Sequence, residues 1–247
     1  MSLSFMARAR PALLAGALLL GQLPASHAAL TVSGTRVVFP GDKNSVSLIV
    51  SNPSEQTFAV QTWVNTAADD TTTAVPFMIT PPLFRLDPGQ DQQLILNKLP
   101  HELPTDRESL FYFNVQEIPQ AHDTGTQNLL NIALRTRLKL FYRPAGLKGG
   151  PTGRLKELQW SVQQVGGQTR LQVDNPSPFH VSFTRMDISG NGHKQRLNSP
   201  PMVAPMSQQS YPLPGIKAAS GLQVTFAAIN DYGGVSDDHT AALQFRP

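Results

Sequence analysis

The feature that most constrains this chain is a period-two alternation of apolar and polar residues, carried in short runs that Pro and Gly repeatedly cut. "TRVVF" (35–39), "SVSLIV" (45–50), "FAVQTWV" (58–64), "QQLILN" (92–97) and "SLFYFNVQEI" (109–118) have strand length and are rich in β-branched or aromatic residues. Between them, "PGD" (40–42), "NPS" (52–54) and "DPG" (87–89) supply turn geometry. Helical periodicity is nearly absent, so residues 29–143 read as all-β. A Gly/Pro-rich run, "RPAGLKGGPTG" (143–153), interrupts the pattern. The alternation then resumes in "LQWSVQQV" (158–165), "TRLQVDN" (169–175), "FHVSFTRM" (179–186) and "LQVTFAAIN" (222–230). "SNPS" (51–54) and "DNPSP" (174–178) each follow one strand and precede another, a faint echo between the halves. In "MITPPLFRL" (78–86) two prolines break a strand-like run; an edge position, a cis Thr80–Pro81 bond and an ordinary trans bend all fit.

The expected organisation is an N-terminal domain over 29–143, a linker over 144–153 and a C-terminal domain over 154–247. Each domain is close to the size of one immunoglobulin-like β-sandwich. Residues 1–28 read as a cleavable signal peptide. Arg8 and Arg10 form its basic start, "PALLAGALLLG" (11–21) is an apolar stretch too short to span a bilayer, and "SHA" (26–28) offers small residues before a mature start at Ala29. Removing that segment takes two arginines and no acids, which reduces the net charge from +3 to +1, with 18 basic against 17 acidic residues. Such a balance gives no basis for nucleic-acid binding, so any cationic function must come from local placement. There is no cysteine, although a signal peptide directs a chain to a compartment where disulfides persist. Thiol catalysis and zinc–thiolate sites are thereby excluded, and stability must come from hydrophobic cores.

No catalytic constellation emerges. The histidines at 27, 101, 122, 180, 193 and 239 form no ligand spacing and read as surface or turn residues. G-x-S-x-G, P-loop and dinucleotide-binding motifs are absent. The acidic pairs in "DD" (69–70) and "DDH" (237–239) read as solvated loops rather than metal ligands. Trp63 and Trp160 sit inside strand patterns and read as core, which leaves no cluster of exposed aromatics for a sugar site.

One strand is unusual. In "NIALRTRLKLFYRP" (131–144), Arg135, Arg137, Lys139 and Arg143 share one parity. Leu130, Ile132 and Leu134 share the other, which continues through Leu138, Leu140 and Tyr142. The simplest reading buries the aliphatics and solvates the cations. A run from 130 to 142 is much longer than the usual strand of about 5–6 residues, however, so part of it should project beyond its own sheet. A long apolar edge is a pairing hazard unless a partner uses it, which favours β-augmentation by another protein.

The chain resembles the PapD-like periplasmic pilus assembly chaperones of the chaperone–usher pathway. The resemblance rests on "GTRVVFP" (34–40), "SVSLIVSNPS" (45–54), "TPPLFRLDPG" (80–89), "LPTDRESLFYFNVQEIP" (103–119) and "NLLNIALRTRLKLFYRP" (128–144). "VDNPSPF" (173–179) and "NDYGG" (230–234) extend it into the second half. It implies two immunoglobulin-like domains set at an angle, boomerang-like, with a cleft that receives the C-terminus of a pilus subunit. Arg36 and Lys139 match the cations that hold the subunit's terminal carboxylate. Leu130, Ile132 and Leu134 match the donor strand that fills the subunit's groove. Glu108, Arg143 and Asp231 match charges that join the domains. Some members carry an arginine where Ile95 stands here, which implies a smaller interdomain network. The short "QAHDTGTQN" (120–128) and the absence of cysteine imply the short-loop subfamily that serves rod-like pili. The resemblance further implies pilus subunits and an outer-membrane usher as partners, a self-capping homodimer as one state of the free protein, and no cofactor, metal, nucleic acid or small-molecule substrate. The contrasting reading is a secreted two-domain binding module, or a pilus structural subunit or adhesin.

Overall fold

In the computed structural model, the described residues are 30–119 and 133–246, and they form two all-β sandwiches. The expected signal peptide lies outside the described residues. The first sandwich contains β1 (Thr31–Val32), β2 (Arg36–Pro40), β3 (Ser45–Ser51), β4 (Phe58–Asn65), β5 (Phe77–Thr80), β6 (Leu83–Leu86), β7 (Asp91–Lys98), β8 (Ser109–Pro119) and β9 (Arg135–Arg143). One sheet has the order β1-β3-β7-β5 and the other β2-β9-β8-β4-β6. Alternation along the strands turns Val37, Phe39, Leu48, Val50, Phe58, Val60, Leu94, Leu96, Phe113 and Leu140 into one buried core. Thr80–Pro81 is cis, and it separates β5, which pairs with β7, from β6, which pairs with β4.

A 3₁₀ turn over Pro151–Glu157 opens the second half and buries Leu155 in the second core. Next come β10 (Gln159–Val165), β11 (Gln168–Asn175), β12 (Phe183–Gly190), β13 (His193–Asn198), β14 (Ser207–Pro212), β15 (Gln223–Ala228), β16 (His239–Ala242) and β17 (Gln244–Arg246). They form sheets ordered β14-β11-β10-β17 and β13-β12-β15-β16. Trp160 is in this core, its ring 4.8 Å from Phe226 and 5.7 Å from Phe183.

Two strand expectations shift. "FHVSFTRM" is not a strand from its start, because the backbone at 179–181 is spent on other partners. The Phe179 carbonyl accepts from Asn175, the His180 N–H donates to Glu108, and Val181 bridges to Val203. The cation-bearing strand, expected to start near residue 130, is β9 from Arg135 onward; Leu130 and Ile132 lie outside the described residues.

Candidate functional site

The two rows of β9 part company as their parity predicts. Leu140 and Tyr142 are buried in the first core, and Leu138 packs against it. The opposite row, Arg135, Arg137, Lys139, Phe141 and Arg143, lies on the outer face of the five-stranded sheet, and its C-terminal half runs beneath the second domain. The Lys139 ammonium donates to Ser182 Oγ at 3.2 Å, and the Phe141 ring, buried by this contact, lies 5.4 Å from the His180 ring.

Arg143 ends the row at a junction between the domains. Its Nε and one terminal nitrogen donate to Glu108 Oε1 at 2.9 and 2.7 Å, and both terminal nitrogens donate to the Asp231 carboxylate at 2.8 and 2.9 Å. Glu108 Oε2 turns to the second domain, where it accepts the His180 backbone N–H at 2.8 Å and faces its Nδ1 at 3.2 Å. Burial works against the Arg143 charge, but Asp231 and Glu108 outweigh it and raise its pKa. A fork-shaped guanidinium serving two carboxylates suits such a buried junction better than a point charge. The junction has no spare volume: a Cβ on Gly150 would lie 2.9 Å from Asp231 Oδ2.

The neighbouring cations have no such partners. β2 and β9 pair in parallel with Arg36 directly opposite Lys139, so the two side chains emerge together on the outer face. Arg36 donates to the Ile229 carbonyl at 3.3 Å, and its guanidinium carbon lies 6.0 Å from the Phe141 ring centre. Arg36 Nε is buried with no hydrogen-bond partner, and among the described residues neither Arg36 nor Lys139 forms a salt bridge. Burial lowers the Lys139 pKa and the Arg36 charge pushes the same way; burial also lowers that of Arg36, against the opposing pull of Asp231 and Glu108. Two adjacent, partly desolvated cations with neutral partners form a site whose charge an incoming anion would balance.

Leu134 is 54 % exposed, on the opposite parity from Lys139 and just before β9. β2 pairs with β9 only from Lys139 to Arg143, whereas β8 pairs with it from Arg135 to Tyr142. Among the described residues, 135–138 therefore present an open backbone edge on the β2 side. Ile95, where the resemblance puts an arginine in some members, is on the outer face of the other sheet at 41 % exposure.

Three side chains depart from their sequence reading. His180 is not a surface residue but is buried between the domains, 7 % exposed. Trp63 is not core: it stands on the outer face with the Arg135 guanidinium 4.9 Å from its ring centre. Asp69 is not merely solvated, since it is salt-bridged to Arg135. Each departure comes from a contact made far away in sequence, which a local pattern does not register. Among the described residues no group of three His, Cys, Asp or Glu side chains could hold a metal ion.

Comparison with known proteins meets this geometry. A family described as the pili and flagellar-assembly chaperone PapD N-terminal domain matches residues 29–148, and the pili assembly chaperone PapD C-terminal domain matches 154–240. The probable fimbrial chaperone YadV of Escherichia coli is 38 % identical over 217 residues, covering 85 % of this chain and 88 % of that protein. Its crystal structure superposes with a TM-score of 0.75, covering 87 % of this chain and all of that one. The chaperone protein PapD of Escherichia coli is 34 % identical over 228 residues, 91 % of each chain. The structure of the Salmonella enterica SafA pilin in complex with the SafB chaperone matches at 28 % identity and a TM-score of 0.74, covering 88 % of this chain and 98 % of that one. These relatives are chaperones rather than enzymes, and fimbrial chaperones of this kind are periplasmic. Two matched domains in order, with identity sustained across both, place the chain in the PapD-like family of pilus assembly chaperones.

Proposed function

We propose that this chaperone captures a pilus subunit by holding the subunit's C-terminal carboxylate between Arg36 and Lys139 while an extended segment of the subunit adds along the open edge of β9. The observation that carries the reading is the registered Arg36–Lys139 pair, partly buried between the domains with no anionic partner among the described residues. A carboxylate there would form charge-assisted hydrogen bonds worth about 1.5–3 kcal/mol each. Leu134, with Leu130 and Ile132 outside the described residues, would donate apolar side chains to the subunit's groove. Each burial adds roughly 1.5–3 kcal/mol before ordering costs. The cations set the register and the aliphatics supply most of the affinity, because a one-residue slip would turn every paired side chain to the wrong face.

Glu108, Arg143 and Asp231 fix the two domains, 29–143 and 154–247 joined by 144–153, so that the site keeps its shape. The mature protein starts at Ala29, works in the periplasm, passes its subunit to an outer-membrane usher and, when free, caps its own edge as a homodimer. The test is to purify the tagged protein from its host's periplasm and weigh intact complexes by native mass spectrometry, with Lys139→Ala in parallel. A one-to-one complex with a small secreted protein, lost in the variant, is expected. A complex that survives Lys139→Ala undiminished removes the carboxylate clamp from the reading.

A further inference from the structure

The half of β9 that offers its edge is held on one side only by backbone bonds, which raises the question of what keeps it in place. Its two outward arginines reach across β8 to the segment following β4. Arg135 Nε and a terminal nitrogen donate to Asn114 Oδ1 at 3.0 and 2.6 Å, and its terminal nitrogens grip the Asp69 carboxylate. Its guanidinium covers Trp63, whose registered partner on β8 is Asn114. Arg137 repeats the manoeuvre one pair further on: its guanidinium carbon lies 3.8 Å from the Tyr112 ring centre, it donates to the Thr66 carbonyl at 2.8 Å, and it lies 3.7 Å from Asp69 Oδ1. Asn65 completes the lattice by donating to Asp69 Oδ1 at 2.8 Å and accepting from Asn114 at 3.0 Å. Asp69 occupies the left-handed region, φ 59°, which Asp tolerates better than most residues.

From this geometry we infer that Asp69 is a positioning residue for subunit capture. Through Arg135 and Arg137 it fastens the open-edged half of β9 to the face of its own sheet, so that residues 135–138 stay extended and in register while their other edge is free. The fastening touches neither Arg36 nor Lys139, and it uses the outward row, so the open backbone edge of 135–138 remains available. The inference deepens the capture reading and rests on it for its functional half.

The test compares Asp69→Asn, which keeps size and backbone preference but removes the charge, with Arg135→Lys, which removes the forked geometry. Asp187→Asn is the control, because Asp187 joins Arg196 and Arg185 in a similar network on the second domain. Two readouts are taken on the full chain. The first is amide hydrogen exchange across 133–138. The second is binding of a synthetic peptide of alternating apolar residues with a free C-terminal carboxylate, set against its C-terminal amide. Loss of a charged hydrogen-bonded anchor should lower both protection and carboxylate-dependent binding by about tenfold in Asp69→Asn and Arg135→Lys. Asp187→Asn should change neither, even if it melts at the same temperature as the other two. Unchanged protection in both variants overturns the fastening. Lost protection with undiminished peptide binding overturns its role in capture. If the unaltered protein ignores the carboxylate, the capture reading itself fails, and the exchange measurement still decides the fastening.

Discussion

The two sandwiches are built around the same turn yet present opposite outer faces. In the first, the Asn52 amide donates to the carbonyls of Gln56 and Leu86, and its oxygen accepts the Ser54 N–H and hydroxyl. In the second, Asn175 donates to Phe179 and Ala204 and accepts from Ser177 in the same pattern. Both asparagines are almost fully buried, 1 % and 0 % exposed, each fastening the end of its strand to a segment distant in sequence. The outer faces then diverge. On the first domain, cations stand over aromatics and face a neighbouring domain. On the second, Gln163, Gln172, Gln208 and Asp174 pass hydrogen bonds of 2.8, 2.6 and 2.9 Å across three strands. A ladder of amides ending on one carboxylate satisfies its groups among themselves, whereas Arg36 and Lys139 are left with an excess of positive charge. The common frame builds the fold, and the outer faces set the two domains apart in charge.

That contrast can be broken at several points. The largest effect should come from the shared turn. Asn52→Ala and Asn175→Ala each strand buried backbone carbonyls and should cost about 2–4 kcal/mol by chemical denaturation. A loss at one site alone would end the equivalence of the turns. Next, Lys139→Ala should weaken subunit capture by roughly 10- to 100-fold, the worth of one charge-assisted bond. Its melting temperature should barely move, since the partly desolvated ammonium contributes little to folding.

A pH titration sharpens the same point. Because burial and Arg36 depress the Lys139 pKa, its charge is lost, as pH rises, sooner than an ordinary lysine's. Capture measured by titration should fall as pH rises, earlier than for an ordinary lysine, and in Lys139→Arg that fall should disappear. Glu117 is 5 % exposed at the end of β8, and burial raises its pKa, so its ionised form is the one that folding disfavours. Glu117→Gln should therefore stabilise the fold at neutral pH, with the gain fading as pH drops into the carboxylate range, read as the difference in melting temperature across pH. The smallest effect belongs to the second domain's face, where Gln172→Ala should stay within about 0.5 kcal/mol and leave capture intact.

Much of the architecture was legible because period-two alternation and Pro/Gly turns are local signals. The "NPS" echo proved to mark equivalent asparagine turns for the same reason. The parity of 135–143 separated the core row from the cation row, but nothing local distinguishes a cation that faces water from one that faces a second domain. Pairing Arg36 with Lys139 required the resemblance, since the two are far apart in sequence and meet only through a parallel ladder. Asp69 and Arg135 are 66 residues apart, and His180 and Glu108 are 72 apart. An ordinary acidic pair in a turn or a lone histidine carries no mark of such a partner. Trp63 was misplaced because a Trp inside a strand pattern reads as apolar, whereas an indole under a guanidinium is equally content on a surface.

The point at which β2 joins β9 has one more consequence. β2 runs parallel to β9 and begins at Arg36, directly opposite Lys139. A visiting strand that lies along residues 135–138 and ends at Lys139 must travel in the same direction and on the same track as β2. It therefore meets the start of β2 head-on, and the track is occupied beyond that point. An internal segment would have to turn out of the sheet at that point, whereas a chain end could simply stop there. If the capture reading holds, this junction would favour a chain end by geometry as well as by charge.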